Sequence, residues 1–247
     1  AKLLDKILET PADVRGNFDL IVANPDKVVS LVSQPGKARQ TLAAKWDAAL
    51  TGLAQNASLS TTDRLSATGA GVALAQADGA KLPEALVKVL REQAHQADAN
   101  TQNGYERQSV IYTAAGILGE AGLLDDSDTL LKAELKRSST PYYFMRMLGS
   151  NAKKRGDASS ALKWHEEAWN AAAGGATRLQ WGGGYIASLI DLKPADAAAI
   201  EAATVKLFAE AAKTPDAFFD RNWAVLERTA QKLLEWSTKN QQAAVVD

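Results

Sequence analysis

The stretch YYFMRMLGSNAKKRGDASSALKWHEEAWNAAA, residues 142–173, decides the fold. It reads as a helical hairpin: residues 141–155 form one helix, Gly156 and Asp157 the turn, and residues 158–173 the second helix. Gly149 falls midway along the first helix, and Ala161 and Ala168 lie seven residues apart on the second. Small side chains at such points let two helix backbones approach, where larger ones push them beyond contact distance.

Outward from this hairpin the chain keeps the same character. Of its 247 residues 47 are alanine and only 7 proline, 46% are hydrophobic, and no strand-like alternation of any length occurs. These features predict an all-α, soluble chain. Further helices are expected at residues 2–9, 18–23, 26–32, 37–54, 60–77, 82–99, 105–121, 127–137, 178–191, 195–213 and 216–240. Thr10 and Pro11 are read as ending the first of these. Ser60, with Asp63 three residues on, reads as an N-cap, Pro83 as a first-turn proline and Gly122 as a C-terminal cap. Linkers of two to six residues suit antiparallel helical hairpins. The expected organisation is a segment of short helices and linker at 1–36, then a helical-repeat domain at 37–247.

Composition excludes several chemistries within this chain. It holds no Cys, so thiolate zinc, disulfides and cysteine nucleophiles are out, and only 2 His. Lys+Arg 28 against Asp+Glu 29 gives a net charge of -1, which predicts no strong attraction to nucleic acid or to an anionic membrane. No apolar stretch reaches the ~18 residues of a membrane span, so no membrane insertion is expected. Lys2, Asp5 and Lys6 stand where a signal peptide needs apolar residues, and the chain opens on Ala1, so a processed or excised piece is expected. His165, Glu166 and Glu167 resemble the start of a zincin helix, but Trp169 stands where the second His belongs. His165 is read as a packing residue and His95, near Asp98, as a helix-end residue. Gly182, Gly183 and Gly184 follow no strand and precede no Lys-Ser/Thr, so they form no phosphate loop. Asp125 and Asp126 read as turn acids, residues 153–155 as a basic helix end, and Asn56 as a sequon by pattern alone. No catalytic residue, cofactor or metal site is expected.

The hairpin at 142–173 resembles a tetratricopeptide unit, with weaker matches at 115–135 and 185–212. The expected architecture is therefore antiparallel hairpins stacked as a tetratricopeptide-like right-handed superhelix. Aromatics make up just 6% of the chain, yet Tyr142 and Tyr143 cluster, and Arg178, Trp181 and Tyr185 fall on one helix face with Gln180 beside them. Arg, Trp and Tyr together compose binding hot spots and equally compose inter-repeat packing seams. The glycine run at 182–184 beside them predicts close approach of another helix or of a ligand. Tyr142, Tyr143, Arg178, Gln180, Trp181 and Tyr185 are thus the candidate partner-binding residues.

Three segments carry a family resemblance: Ser138-Ser139-Thr140-Pro141-Tyr142-Tyr143-Phe144-Met145, then Gly156 with Ala161-Leu162-Lys163-Trp164, then Ala176-Thr177-Arg178-Leu179-Gln180-Trp181-Gly182 with Tyr185. They resemble the C-terminal helical region of exported bacterial thioredoxin-fold, disulfide-isomerase-like proteins, over roughly residues 138–190. The resemblance implies an upstream thioredoxin domain bearing Cys-x-x-Cys, to which this region is appended. Without Cys or a βαβ pattern, none of that redox chemistry maps onto a residue here. The expectation is a non-catalytic protein–protein interaction module of the periplasm, serving a protein or peptide partner such as a redox client or the attached thioredoxin domain. The alternatives are an all-helical hydrolase or lyase using acids such as Glu166 or Glu167 beside Arg178, and a purely structural or dimerisation scaffold.

Overall fold

A computed structural model describes residues 2–242. Among them the protein is all-helical, with fourteen α-helices, one 3-10 turn at Ala77–Gly79 and no strand. The chain divides into two compact units, Ala1–Leu130 and Leu131–Asp247.

Unit 1 begins with four short helices, α1 (Lys2–Ile7), α2 (Pro11–Gly16), α3 (Phe18–Val22) and α4 (Pro25–Val32). Thr10 and Pro11 end α1 as expected, but they also start α2, which the sequence reading missed. The Thr10 hydroxyl accepts the Asp13 N–H at 3.1 Å, and proline needs no N–H in a first turn. Val14, Ile21 and Val29 from these helices share one core with Trp46 and Leu50 of α5 (Lys37–Gln55) and Ala67 and Ala70 of α6 (Thr61–Ala75). Ser60 caps α6 as expected, accepting the Asp63 N–H at 3.0 Å. The other side of α6, through Leu65 and Val72, packs with α7 (Glu84–Asn100) and α8 (Gly104–Glu120). Gly69 makes that close: a Cβ there would lie 2.8 Å from Ile117 Cγ1.

The helix expected at 127–137 starts earlier, as α9 (Leu124–Glu134). Gly122, at φ +78°, ends α8 and lets the chain turn at once into α9. Ser127 then lies inside the helix, and its buried hydroxyl donates to the Ala115 carbonyl at 2.7 Å.

Unit 2 contains α10 (Tyr142–Lys154), α11 (Ala158–Ala171), α12 (Gly175–Leu192), α13 (Ala197–Ala211) and α14 (Asp220–Asn240). The α10–α11 hairpin closes where the small residues predict. Gly156 takes φ +79°, Asp157 caps α11 by accepting the Ser160 N–H at 2.9 Å, and Ala161 and Ala168 are buried. The imidazole of His165 lies directly over Gly149, where a Cβ would sit 2.1 Å from Cδ2. α14 starts four residues later than expected because Asp220 adopts a left-handed φ of +46°, which a helix running through from residue 216 does not allow.

α12 is the axis of unit 2, packing on α11, α13 and α14. The three glycines of its 182–184 run face three environments. A Cβ at Gly182 would meet Trp169 Cε2 at 2.7 Å and Leu207 Cδ1 at 2.8 Å, and one at Gly183 would meet Thr229 Oγ1 at 2.7 Å. A Cβ at Gly184 would meet nothing within 4 Å. The expected close approach of another helix is thus present at two glycines of the run.

The Gly149–His165 contact yields a stability prediction. Gly149→Ala should cost about 1–3 kcal/mol, as over-packing does. In a His165→Ala background the same change should cost much less, because the clashing ring is gone. Chemical denaturation of the four chains of this cycle measures the coupling; equal costs in both backgrounds would refute the contact.

Candidate ligand-binding cleft of unit 2

Of the six sequence candidates Tyr142 is buried and the other five are half-buried. Arg178 is committed inside the protein. Its guanidinium forks onto the Glu210 carboxylate of α13, with Nε at 3.2 Å from Oε2 and Nη2 on Oε1. Its Nη1 donates to the carbonyls of Trp169 and Ala172, each at 3.2 Å, and so satisfies the end of α11. Trp169 Nε1 donates to the same Glu210 carboxylate at 3.1 Å, and Lys206 Nζ lies 4.0 Å from the Trp169 ring centre. Tyr142 is buried against Ala168 and Ala172, and burial, with Tyr143 adding, pushes its phenol above the ordinary range. Tyr185 is half-buried, its ring centre 5.9 Å from that of Trp169, and burial also raises its phenol.

The remaining three are Trp181, Gln180 and Tyr143. The Tyr143 ring meets Trp181 edge-on at 5.4 Å, and the Arg146 guanidinium covers the indole at 5.0 Å. Trp181 and Gln180 line a cleft of about 430 Å³ between α10, α12 and α14, with Gly183 and Gly184 in its wall. The sequence reading missed its other lining groups: Arg146 on α10, and Arg221, Arg228 and Lys232 on α14. No Asp or Glu lines it. A signal was present, since residues 221, 228 and 232 recur at helical spacing on one face. The Gln180 amide oxygen, in the orientation that satisfies both groups, accepts from Arg221 Nε at 2.9 Å and Nη2 at 3.2 Å. Trp181 Nε1 is buried with no hydrogen-bond partner. Beside the cleft, Asp191 takes Lys232 at 2.6 Å and Lys153 at 2.7 Å. Burial alone would raise that carboxyl; the two ammonium groups hold it below the usual range.

A smaller cavity of about 180 Å³ shares Arg146, Trp181 and Gly184 with the cleft and adds His165 and Ser188. His165 Nδ1 lies 2.8 Å from Ser188 Oγ. Burial first, then the nearby Arg146 charge, lower its pKa to about 4, with Lys153 adding to the effect. The ring is neutral at pH 7, and an imidazole that basic only near pH 4 is a weak general base there. The acids of the alternative reading are elsewhere: Glu166 is exposed, Glu167 lies 4.0 Å from Lys163, and the carboxylate beside Arg178 is Glu210.

Unit 1 holds a wider cleft of about 950 Å³ along α7, α8 and α9. Its lining mixes both signs, and Arg91 pairs with Asp126 at 2.9 Å. His95 and Asp98 both line it, and no group of metal-ligating side chains occurs among the described residues. Nor is any helix among the described residues long and apolar enough to cross a membrane.

No protein-family model, no curated protein and no solved structure matches this chain.

Two measurements test this geometry. Arg178→Ala should lower stability by about 2 kcal/mol, since it strands a part-buried carboxylate and the α11 carbonyls; an unchanged melting temperature would show that the fork contributes nothing. For His165 the unfolded ring binds its proton near pH 6.5 and the folded ring near pH 4, so the unfolded state holds more protons between them. The stability it confers is full above pH 6.5 and is lost as pH falls toward 4. His165→Asn should flatten this loss by on the order of 2–3 kcal/mol in denaturation series across that window. Parallel curves for the two chains would refute the assignment.

Proposed function

We propose that this chain is a non-catalytic interaction module whose partner docks at the Trp181 cleft of unit 2. The observation that carries the proposal is a cleft lined by one partly buried indole and four cations, with no carboxylate on its walls. Indole and guanidinium groups are the side chains that most often dominate binding energy at protein interfaces. The packing behind the cleft is close, because Gly182 and Gly183 let α12 approach its neighbours without side chains between. A docking face on such helices is positioned more firmly than one on a loop.

The finer reading has the hairpins of unit 2 stacked as a tetratricopeptide-like right-handed superhelix. It places the chain as the appended helical region of an exported, periplasmic thioredoxin-like protein. The small-residue spacing of 142–173 supports the first, and the likeness of residues 138–190 to that family supports the second. The module would then hold a redox client, or the thioredoxin domain itself, while supplying no chemistry.

A photo-crosslinking amino acid placed at Gly184 of the full chain tests the docking face. Adducts with polypeptides should form there well above those from the same group at exposed Gly16 in unit 1. Trp181→Ala, with its helical circular dichroism unchanged, should reduce them several-fold. Equal labelling at the two positions would remove the cleft as a docking site.

A further inference from the structure

We infer that the cleft between α10, α12 and α14 takes an extended acidic peptide segment, its carboxylates spaced to meet Arg221, Arg228 and Lys232. The inference rests on the reading of unit 2 as a binding module and names the chemistry of its ligand.

The charge balance of the walls comes first. Arg146, Arg221 and Arg228 have no carboxylate partner among the described residues, and Lys232 shares Asp191 with Lys153. In a chain of net charge -1, this gathers positive charge in one concave place with a single acid to offset it. Like charges held together in a cleft raise the local potential and draw in anions.

Hydrogen-bond polarity points the same way. Trp181 Nε1 is a buried donor with no acceptor. The Gln180 oxygen is taken by Arg221, which leaves its amide hydrogens to donate. A ligand that satisfies these groups is rich in acceptors, as carboxylates and peptide carbonyls are.

Length then selects a chain over a small ion. Eleven residues separate Arg221 from Lys232, about 16 Å along a helix. A lone phosphate or carboxylate bridges one or two of these cations, whereas roughly five extended residues at about 3.3 Å each span them all. The floor leaves room for such a chain. Gly184 presents bare backbone with open space above it, and the adjoining cavity under Trp181 and Arg146 extends the groove. Single-stranded nucleic acid fits less well, because base stacking needs a free ring face. Arg146 covers the Trp181 face and Tyr143 meets the ring edge-on.

Fluorescence anisotropy on the full chain tests this with a labelled peptide of alternating Glu and Gly, about ten residues long. The same peptide with Gln for Glu, a labelled oligothymidylate and inorganic phosphate as competitor complete the set. The Glu peptide should bind at low salt and weaken by about tenfold or more as salt approaches physiological strength. The Gln peptide should not bind. Arg221→Gln with Arg228→Gln should weaken binding about tenfold or more, because it removes two of the four charges. Gly184→Phe should do the same by filling the groove, since a Cβ at this position meets nothing within 4 Å. Arg91→Gln, on the unit 1 cleft, should bind as the unsubstituted chain does. The inference is overturned if the Gln peptide binds equally, if both cleft variants keep full affinity, if the oligothymidylate binds more tightly, or if phosphate displaces the peptide at equal concentration. Adducts at Gly184 with polypeptides that lack acidic runs would overturn it too, while leaving the interaction-module reading standing.

Discussion

The crossing of α12 through unit 2 with no side chain at two successive positions is the constraint on which that unit depends. A helix packed on three others has little free surface, and neighbours at ordinary 8–10 Å separations leave little room for side chains at every crossing. Gly182 resolves this toward Trp169 and Leu207, and Gly183 toward Thr229 and Val225. Leu179, Ile186 and Leu189 fill the space between those crossings and are buried. The same device recurs in unit 1, where Gly69 of α6 receives Ile117. In a chain without cysteine, the close approach at Gly182 is part of how a residue as large as Trp169 becomes fully enclosed.

Charge in unit 2 is sorted by the same packing. Arg178 lies where α12 meets the end of α11, so its guanidinium satisfies carbonyls that the helix terminus leaves open and takes Glu210 as counter-ion. Lys153 and Lys232 reach Asp191 from different helices and tie α10 and α14 to α12. Arg146 and Arg221 reach Trp181 and Gln180 of α12, but neither they nor Arg228 meet a carboxylate among the described residues. Surface cations without partners are ordinary singly, since an exposed ion pair adds little stability. What distinguishes these three is their convergence on one groove beside an indole whose N–H is unmet. Internal packing does not account for that placement.

The sequence was most legible where geometry permits one residue type. Gly149, Gly156, Ala161 and Ala168 located the α10–α11 hairpin to within two residues at each end, because small side chains and a left-handed turn leave few substitutes. Ser60 and Gly122 located caps for the same reason. Boundaries slipped where a residue has two readings. Thr10 and Pro11 both end one helix and begin the next, and Ser127, where the ninth helix was expected to start, lies inside it with its hydroxyl on a carbonyl of α8. The candidate binding face was half legible. Arg178, Trp181 and Tyr185 do share one side of α12, but periodicity says nothing of what stands opposite, and Glu210 lies 32 residues away from Arg178 in sequence. The α14 cations were visible as a stripe, yet a charged helix face is usually a solvated one, so only the approach of α10 gives them meaning.

Gly184 separates packing from function within one short run. Each glycine inside a helix costs about 1 kcal/mol relative to alanine. Gly182 and Gly183 recover that cost, since any side chain there collides with a neighbour at under 3 Å. Gly184 recovers nothing inside the protein: its φ is not left-handed, and a methyl group would find open space. At its one unobstructed glycine, on the floor of a groove walled by cations, the helix forgoes stability and gains no internal packing in return. Natural sequences depart from local optimality mainly at functional sites, and the docking cleft proposed above would give the bare backbone at Gly184 its reason.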